Sequence, residues 1–78
     1  MPLKIRLMFY NTLYQLRAHR DRRGLTQEEL ATLSGVSRPT IAALELGYRQ
    51  AYSRTTQKLA RALKVTPEEL TREEGLGE

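Results

Sequence analysis

Residues 25–47 read LTQEELATLSGVSRPTIAALELG, and this stretch decides the fold. Thr26 stands three residues before Glu29, the spacing of a capping box, and Leu25 and Leu30 occupy the staple positions around it. The spacing predicts a helix whose buried face is Leu30, Ala31 and Leu33 and which ends at Gly35. A second helix follows almost at once. Ser37 is its cap, Val36 and Ile41 its staple, and Pro39 sits in the first turn, where its missing donor costs nothing. Ile41 and Leu44 point inward and Gly47 closes the helix. Two helices joined by so short a turn around a glycine cross steeply, which leaves the second standing proud.

Upstream, Asn11 or Thr12 is the expected cap of a first helix running to about Arg23, with Gly24 as its left-handed exit. Its inward positions are Leu13, Leu16, His19 and Arg20, with Tyr10 and Tyr14 flanking that seam. Residues 3–9, LKIRLMF, alternate apolar and basic side chains. That period suits a strand pairing with a second copy of the chain, but a disordered tail or an extension of the first helix fits as well. Downstream, Tyr48–Ser53 reads as a loop. A fourth helix from about Thr55 to Lys64 buries Leu59, Ala60, Ala62 and Leu63. Thr66, Pro67 and Glu69 then repeat the capping box, with Val65 and Leu70 as staple. The expected organisation is an arm over residues 1–10, an all-α, five-helix domain over 11–72, and an acidic flexible tail over 73–78.

Composition limits what such a domain does. Seventy-eight residues without cysteine exclude a disulfide framework and a thiolate metal site. A single histidine excludes most zinc constellations, so neither metal nor cofactor is expected. No nucleophile–base pair stands out, and TLSGVS lacks the glycines and lysine of a phosphate loop, so an enzyme is not expected. No stretch is long and apolar enough for a membrane span or a signal peptide, and the expected location is the cytoplasm. The net charge is +4, distributed unevenly: residues 1–54 hold nine Lys/Arg against four Asp/Glu, residues 55–78 four against five. The basic part contains the two-helix stretch, which favours a polyanionic partner.

The outward face of the third helix sharpens this. With Ile41 and Leu44 inward, Arg38, Pro39, Ala42, Ala43 and Leu46 face out. An ordinary surface helix would carry Glu and Lys there. This one is small and neutral and is led by an arginine, which lets it approach base edges without repelling phosphates.

Residues 13–70 resemble the helix-turn-helix family of phage repressor and Cro proteins and small bacterial regulators. The matching run is Leu16-Arg17, Arg20, Gly24-Leu25-Thr26-Gln27, Glu29-Leu30-Ala31, Gly35-Val36-Ser37, Ile41, Glu45 and Gly47, then Leu59-Ala60, Ala62-Leu63 and Val65. The resemblance implies a lambda-repressor-like fold and a double-stranded DNA partner, with the third helix, about Arg38–Leu46, in the major groove. It implies that Gln27 anchors a phosphate and braces the reading helix. Ser37, Arg38, Pro39, Thr40 and Ala43 would meet backbone and bases, and Tyr48, Arg49 and Arg54 would lie along the sugar-phosphate backbone. It also implies a structural pair between Arg20 and Glu45.

The chain departs from the family pattern where Pro39 and Ala43 replace side chains that donate hydrogen bonds. It also lacks a proline before the fourth helix and has His19 at a usually aliphatic position. Direct readout then leans on Arg38, whose guanidinium chelates a guanine. A repressor acting as a homodimer on a two-fold operator is expected, joined through the fifth helix, the arm or the DNA itself. The alternatives are an antitoxin that binds a toxin, or an activator that touches RNA polymerase through Glu28 and Glu29.

Overall fold

A computed structural model describes residues 10–73. The order is β1 (Tyr10–Asn11), α1 (Leu16–Arg22), α2 (Gln27–Ser34), α3 (Arg38–Leu46), β2 (Ala51–Tyr52), α4 (Ser53–Leu63) and α5 (Pro67–Thr71). The strand suggested for residues 3–9 and the tail beyond Glu73 lie outside the described residues.

The local signals in residues 25–47 act as their chemistry requires. At α2, Thr26 Oγ1 accepts from the Glu29 backbone N–H at 3.0 Å, and the Thr26 N–H donates to Glu29 Oε1 at 2.8 Å. Gly35 ends the helix at φ +80°, a left-handed conformation that costs a residue with a Cβ about 1–2 kcal/mol. Ser34 Oγ accepts from the Val36 N–H at 3.1 Å inside the turn. Ser37 then caps α3 through the Thr40 N–H. The same device recurs at α5, where Thr66 and Glu69 close a second capping box.

These caps hold short helices around one apolar core. Leu13, Leu16, Leu30, Val36, Ile41, Leu44, Ala51, Leu59, Ala60, Leu63 and Leu70 are buried in a single cluster. α2 packs against both α3 and α4, and α5 closes over α4 and α1. Leu33, expected on the buried face of α2, is 60% exposed. Leu30 and Ala31 pack into the core, and Leu33 lies about 60° from Leu30 on the side away from Ala31, off the centre of that face.

The start of α1 also differs from expectation. Neither Asn11 nor Thr12 caps it; Gln15 precedes its first residue and makes no capping bond through its side chain. Instead the Gln15 backbone N–H donates to the Leu70 carbonyl at 3.0 Å, and Gln15 Nε2 donates to the Arg72 carbonyl at 3.2 Å. α5 therefore anchors the start of α1. Asn11 is freed for another role. With Tyr10 it forms an antiparallel pair with β2, in the register Tyr10↔Tyr52 and Asn11↔Ala51.

Tyr10 thus pairs with the loop before α4, and the all-helical expectation gains one small sheet. The Asn11 side chain is buried and donates to Thr56 Oγ1 at 3.4 Å, and Thr56 in turn donates to the Tyr52 carbonyl. The strand pair and this polar link set the path of the α3–α4 loop, with Gln50 Nε2 adding a tie to Thr12 Oγ1 at 2.9 Å.

Candidate nucleic-acid interface

α3 is held against the rest of the molecule by one polar cluster. Arg20, on α1, donates from Nε to Glu45 Oε2 at 2.6 Å and from Nη2 to Glu45 Oε1 at 3.0 Å. Its remaining nitrogen, Nη1, donates to the Leu25 carbonyl at 2.7 Å and lies 3.3 Å from Asp21 Oδ1. Gln27, at the start of α2, completes the cluster by donating from Nε2 to Glu45 Oε1 at 2.9 Å. One carboxylate on α3 thereby joins α1 and α2, and Arg20 carries the link on to the α1–α2 turn.

The pair is largely removed from water, with side-chain exposures of 11% for Arg20 and 4% for Glu45. Burial pushes the Glu45 carboxyl up. The hydrogen bonds from Arg20 and Gln27 together with the Arg20 and Arg17 charges outweigh it, so Glu45 stays below the ordinary carboxylate value. The hydrogen bond to Glu45 raises Arg20 against the opposing effect of burial, and the Glu45 and Asp21 charges add to the rise. Both groups are charged across the ordinary pH range. Every oxygen of Glu45 has a donor, the condition under which a buried ion pair is tolerated.

Glu45 is the single acidic residue of α3, and it is turned inward. The solvent side of α3 is consequently free of carboxylate. Arg38 and Pro39 at its start and Leu46 at its end are exposed, whereas Thr40, Ala42 and Ala43 are half-buried. Ser37 is exposed, and its hydroxyl donates to Thr40 Oγ1 at 2.8 Å while accepting from the Thr40 N–H. The start of α3 thus presents a preformed polar edge led by Arg38, which forms no ion pair among the described residues.

The other sequence-predicted residues divide by position. Gln27 is half-buried because its amide is engaged with Glu45. Tyr48, 79% exposed, and Arg49 follow the end of α3, and Arg54 is exposed in the first turn of α4. Three features escaped the sequence reading: the Asn11–Thr56 link, the Gln50–Thr12 tie and the contact of the Tyr10 and Tyr52 rings, with centroids 5.0 Å apart and planes tilted by 36°. All three shape the loop carrying Tyr48 and Arg49. The signal available for the first was the polar Thr56 in the run of buried positions that continues to Leu59, Ala60 and Leu63.

A short helix held across another by a left-handed glycine turn, with its leading edge open, is a helix-turn-helix. The chain belongs to the helix-turn-helix family of the Cro/C1 type, whose model HTH_3 matches residues 16–70. It is 50% identical over 48 residues to an uncharacterized HTH-type transcriptional regulator of Methanothermobacter thermautotrophicus, covering 62% of this chain and 70% of that one. It is 49% identical over 57 residues to the HTH-type transcriptional repressor RghR of Bacillus subtilis. That match covers 72% of this chain but 42% of the repressor.

Among solved structures, the restriction-modification controller protein C.AhdI of Aeromonas hydrophila is similar at 43% identity and a TM-score of 0.69, over 72% of this chain and 85% of that one. The P22 c2 repressor, solved with a synthetic operator, has the same fold at a TM-score of 0.72 and 23% identity, over 82% of this chain and 97% of the repressor.

Proposed function

We propose that this protein is a sequence-specific duplex-DNA-binding transcriptional regulator, acting most simply as a repressor, with α3 inserted in the major groove. The observation that carries the reading is the arrangement around Glu45. The acid of α3 is withdrawn into a buried cluster, and the exposed edge from Ser37 to Thr40 keeps a free arginine. The relatives, a transcriptional regulator and a transcriptional repressor by name, support the same reading.

In this reading Arg38 reads a guanine, and the methyl of Ala43 meets a thymine methyl. Ser37, Thr40 and Gln27 meet phosphates, Pro39 sets the approach of the helix, and Tyr48, Arg49 and Arg54 follow the adjacent backbone. Two copies bind a two-fold operator, since one helix reads too few base pairs for useful specificity, and their half-sites lie about 34–36 Å apart. Glu29 is engaged in the α2 capping box, so of the two acids proposed for an activating contact only Glu28 is left without a side-chain partner among the described residues. Selection from randomised duplexes tests the reading: a two-fold consensus with guanine in each half-site supports it, and recovery of unenriched sequence contradicts it.

A further inference from the structure

α1 faces two ways. Arg20 points toward α3, whereas His19 lies about 100° around the helix axis, on the side of α5. There, between the C-terminal ends of α1 and α4 and the end of α5, is an open cleft of about 620 Å³. Its walls carry Arg22 and Arg23 from α1, Lys64 from the end of α4, and Arg72 after α5. The half-buried Val65 supplies the apolar part of the floor, with the fully buried Leu63 beneath it. One rim is fixed by the two Gln15 hydrogen bonds to the Leu70 and Arg72 carbonyls.

The ordinary explanation of such cations is compensation of helix dipoles, and its magnitude can be weighed. Each helix C-terminus carries about half a negative charge. The ends of α1, α4 and α5 together account for about one and a half of the four cations. Glu69, the single acid in the lining, accounts for another, although its carboxylate already accepts from the Thr66 N–H. About one and a half positive charges remain uncompensated, and none of the four cations forms an ion pair among the described residues.

We infer that this cleft binds a small phosphate monoester, at a site separate from the DNA-reading edge. A phosphate monoester carries about −1.5 to −2 charges at neutral pH, which matches the excess. Arginine forks match its oxygens in pairs, and the volume suits a metabolite-sized molecule whose organic part rests on Val65. A DNA backbone fits less well, because its phosphates are monoanionic and the cleft lies on the flank of α1 away from α3. The inference stands apart from the DNA-reading proposal and survives its failure.

Titration of the full chain with adenosine 5′-monophosphate and with inorganic phosphate, followed by amide NMR at constant ionic strength, tests it. Saturable shifts at Arg22, Arg23, Lys64 and Val65 with either probe are expected. Stronger binding of the nucleotide identifies a monoester with an organic part, and equal binding identifies free phosphate. Arg23→Gln and Lys64→Gly should each weaken binding about tenfold, as loss of one charge-assisted contact does. Glycine suits the left-handed backbone of residue 64, at φ 59°, so that variant keeps the fold. Arg61→Gln, a neighbouring charge outside the cleft, should bind as the parent does. Shifts that never saturate, shifts reproduced by chloride, equal loss in Arg61→Gln, or the same amides responding to duplex DNA overturn the inference.

Discussion

At the scale of single residues, two arginines of the same formal charge have opposite assignments. Arg20 is fully engaged with Glu45 and the Leu25 carbonyl, so it acts on the fold; Arg38 is exposed and without an ion-pair partner among the described residues, so it is available to a ligand. Removing one member of a buried pair leaves the other charge stranded, at a cost of about 3–5 kcal/mol. That equals the whole stability expected of so small a core. Glu45→Ala should therefore be largely unfolded in a denaturant melt, with any loss of DNA binding secondary. Arg38→Ala should melt like the parent, yet lose about 1–3 kcal/mol of discrimination at one base position in a competition assay.

The Glu45 carboxyl also sets a pH dependence. It is held below the ordinary value of 4.5 in the fold and returns to it on unfolding. Its contribution is therefore complete above that range and is lost as pH falls through the depressed folded value. The stability gap between the parent and Glu45→Gln should narrow on acidification below about 4.5. A constant gap down to the acid limit would mean that the pair contributes nothing through its charge.

At the scale of elements, the short helices depend on their ends. Thr26→Ala and Thr66→Ala each remove a capping-box acceptor and should cost about 1 kcal/mol in thermal melts. Lys64 ends α4 in a left-handed conformation that a side chain disfavours, so Lys64→Gly should raise the melting temperature through about 1 kcal/mol.

These ends were also what made the fold legible. Thr26–Glu29, Ser37, Gly35, Gly47 and Thr66–Glu69 act within a few residues of themselves, and the helices they bound follow the sequence closely. What stayed illegible was made by distant partners. α1 starts where α5 supplies carbonyl acceptors to Gln15, not where Asn11 resembles a cap. Strands of two residues have no periodicity to read. In the candidate site, Arg20–Glu45 and Gln27 came from the family resemblance, because nothing local marks residues 25 positions apart as partners. The position of Leu33 failed because helical spacing gives a face but not where that face ends.

At the scale of the whole molecule, the hydrogen-bonded Glu45 cluster divides labour between two surfaces. The edge from Ser37 to Thr40, with Tyr48, Arg49 and Arg54 beyond it, is the surface proposed for DNA; the flank of α1 next to α5 is the surface proposed for a phosphate monoester. No helix among the described residues is long and apolar enough to cross a membrane. The described residues also hold no group of three or more His, Cys, Asp and Glu able to bind a metal.

Salt dependence measures the charge part directly, because each neutralised phosphate contributes about −0.9 to the log–log slope of affinity against salt. The central claim, that the Arg38-led edge of α3 reads duplex DNA, is tested most directly by that slope on the selected duplex, with the parent and Arg38→Ala side by side. The account predicts a steep negative slope for both proteins, with base preference at one position lost in the variant. A flat slope for the parent, or an unchanged base preference in Arg38→Ala, would contradict it.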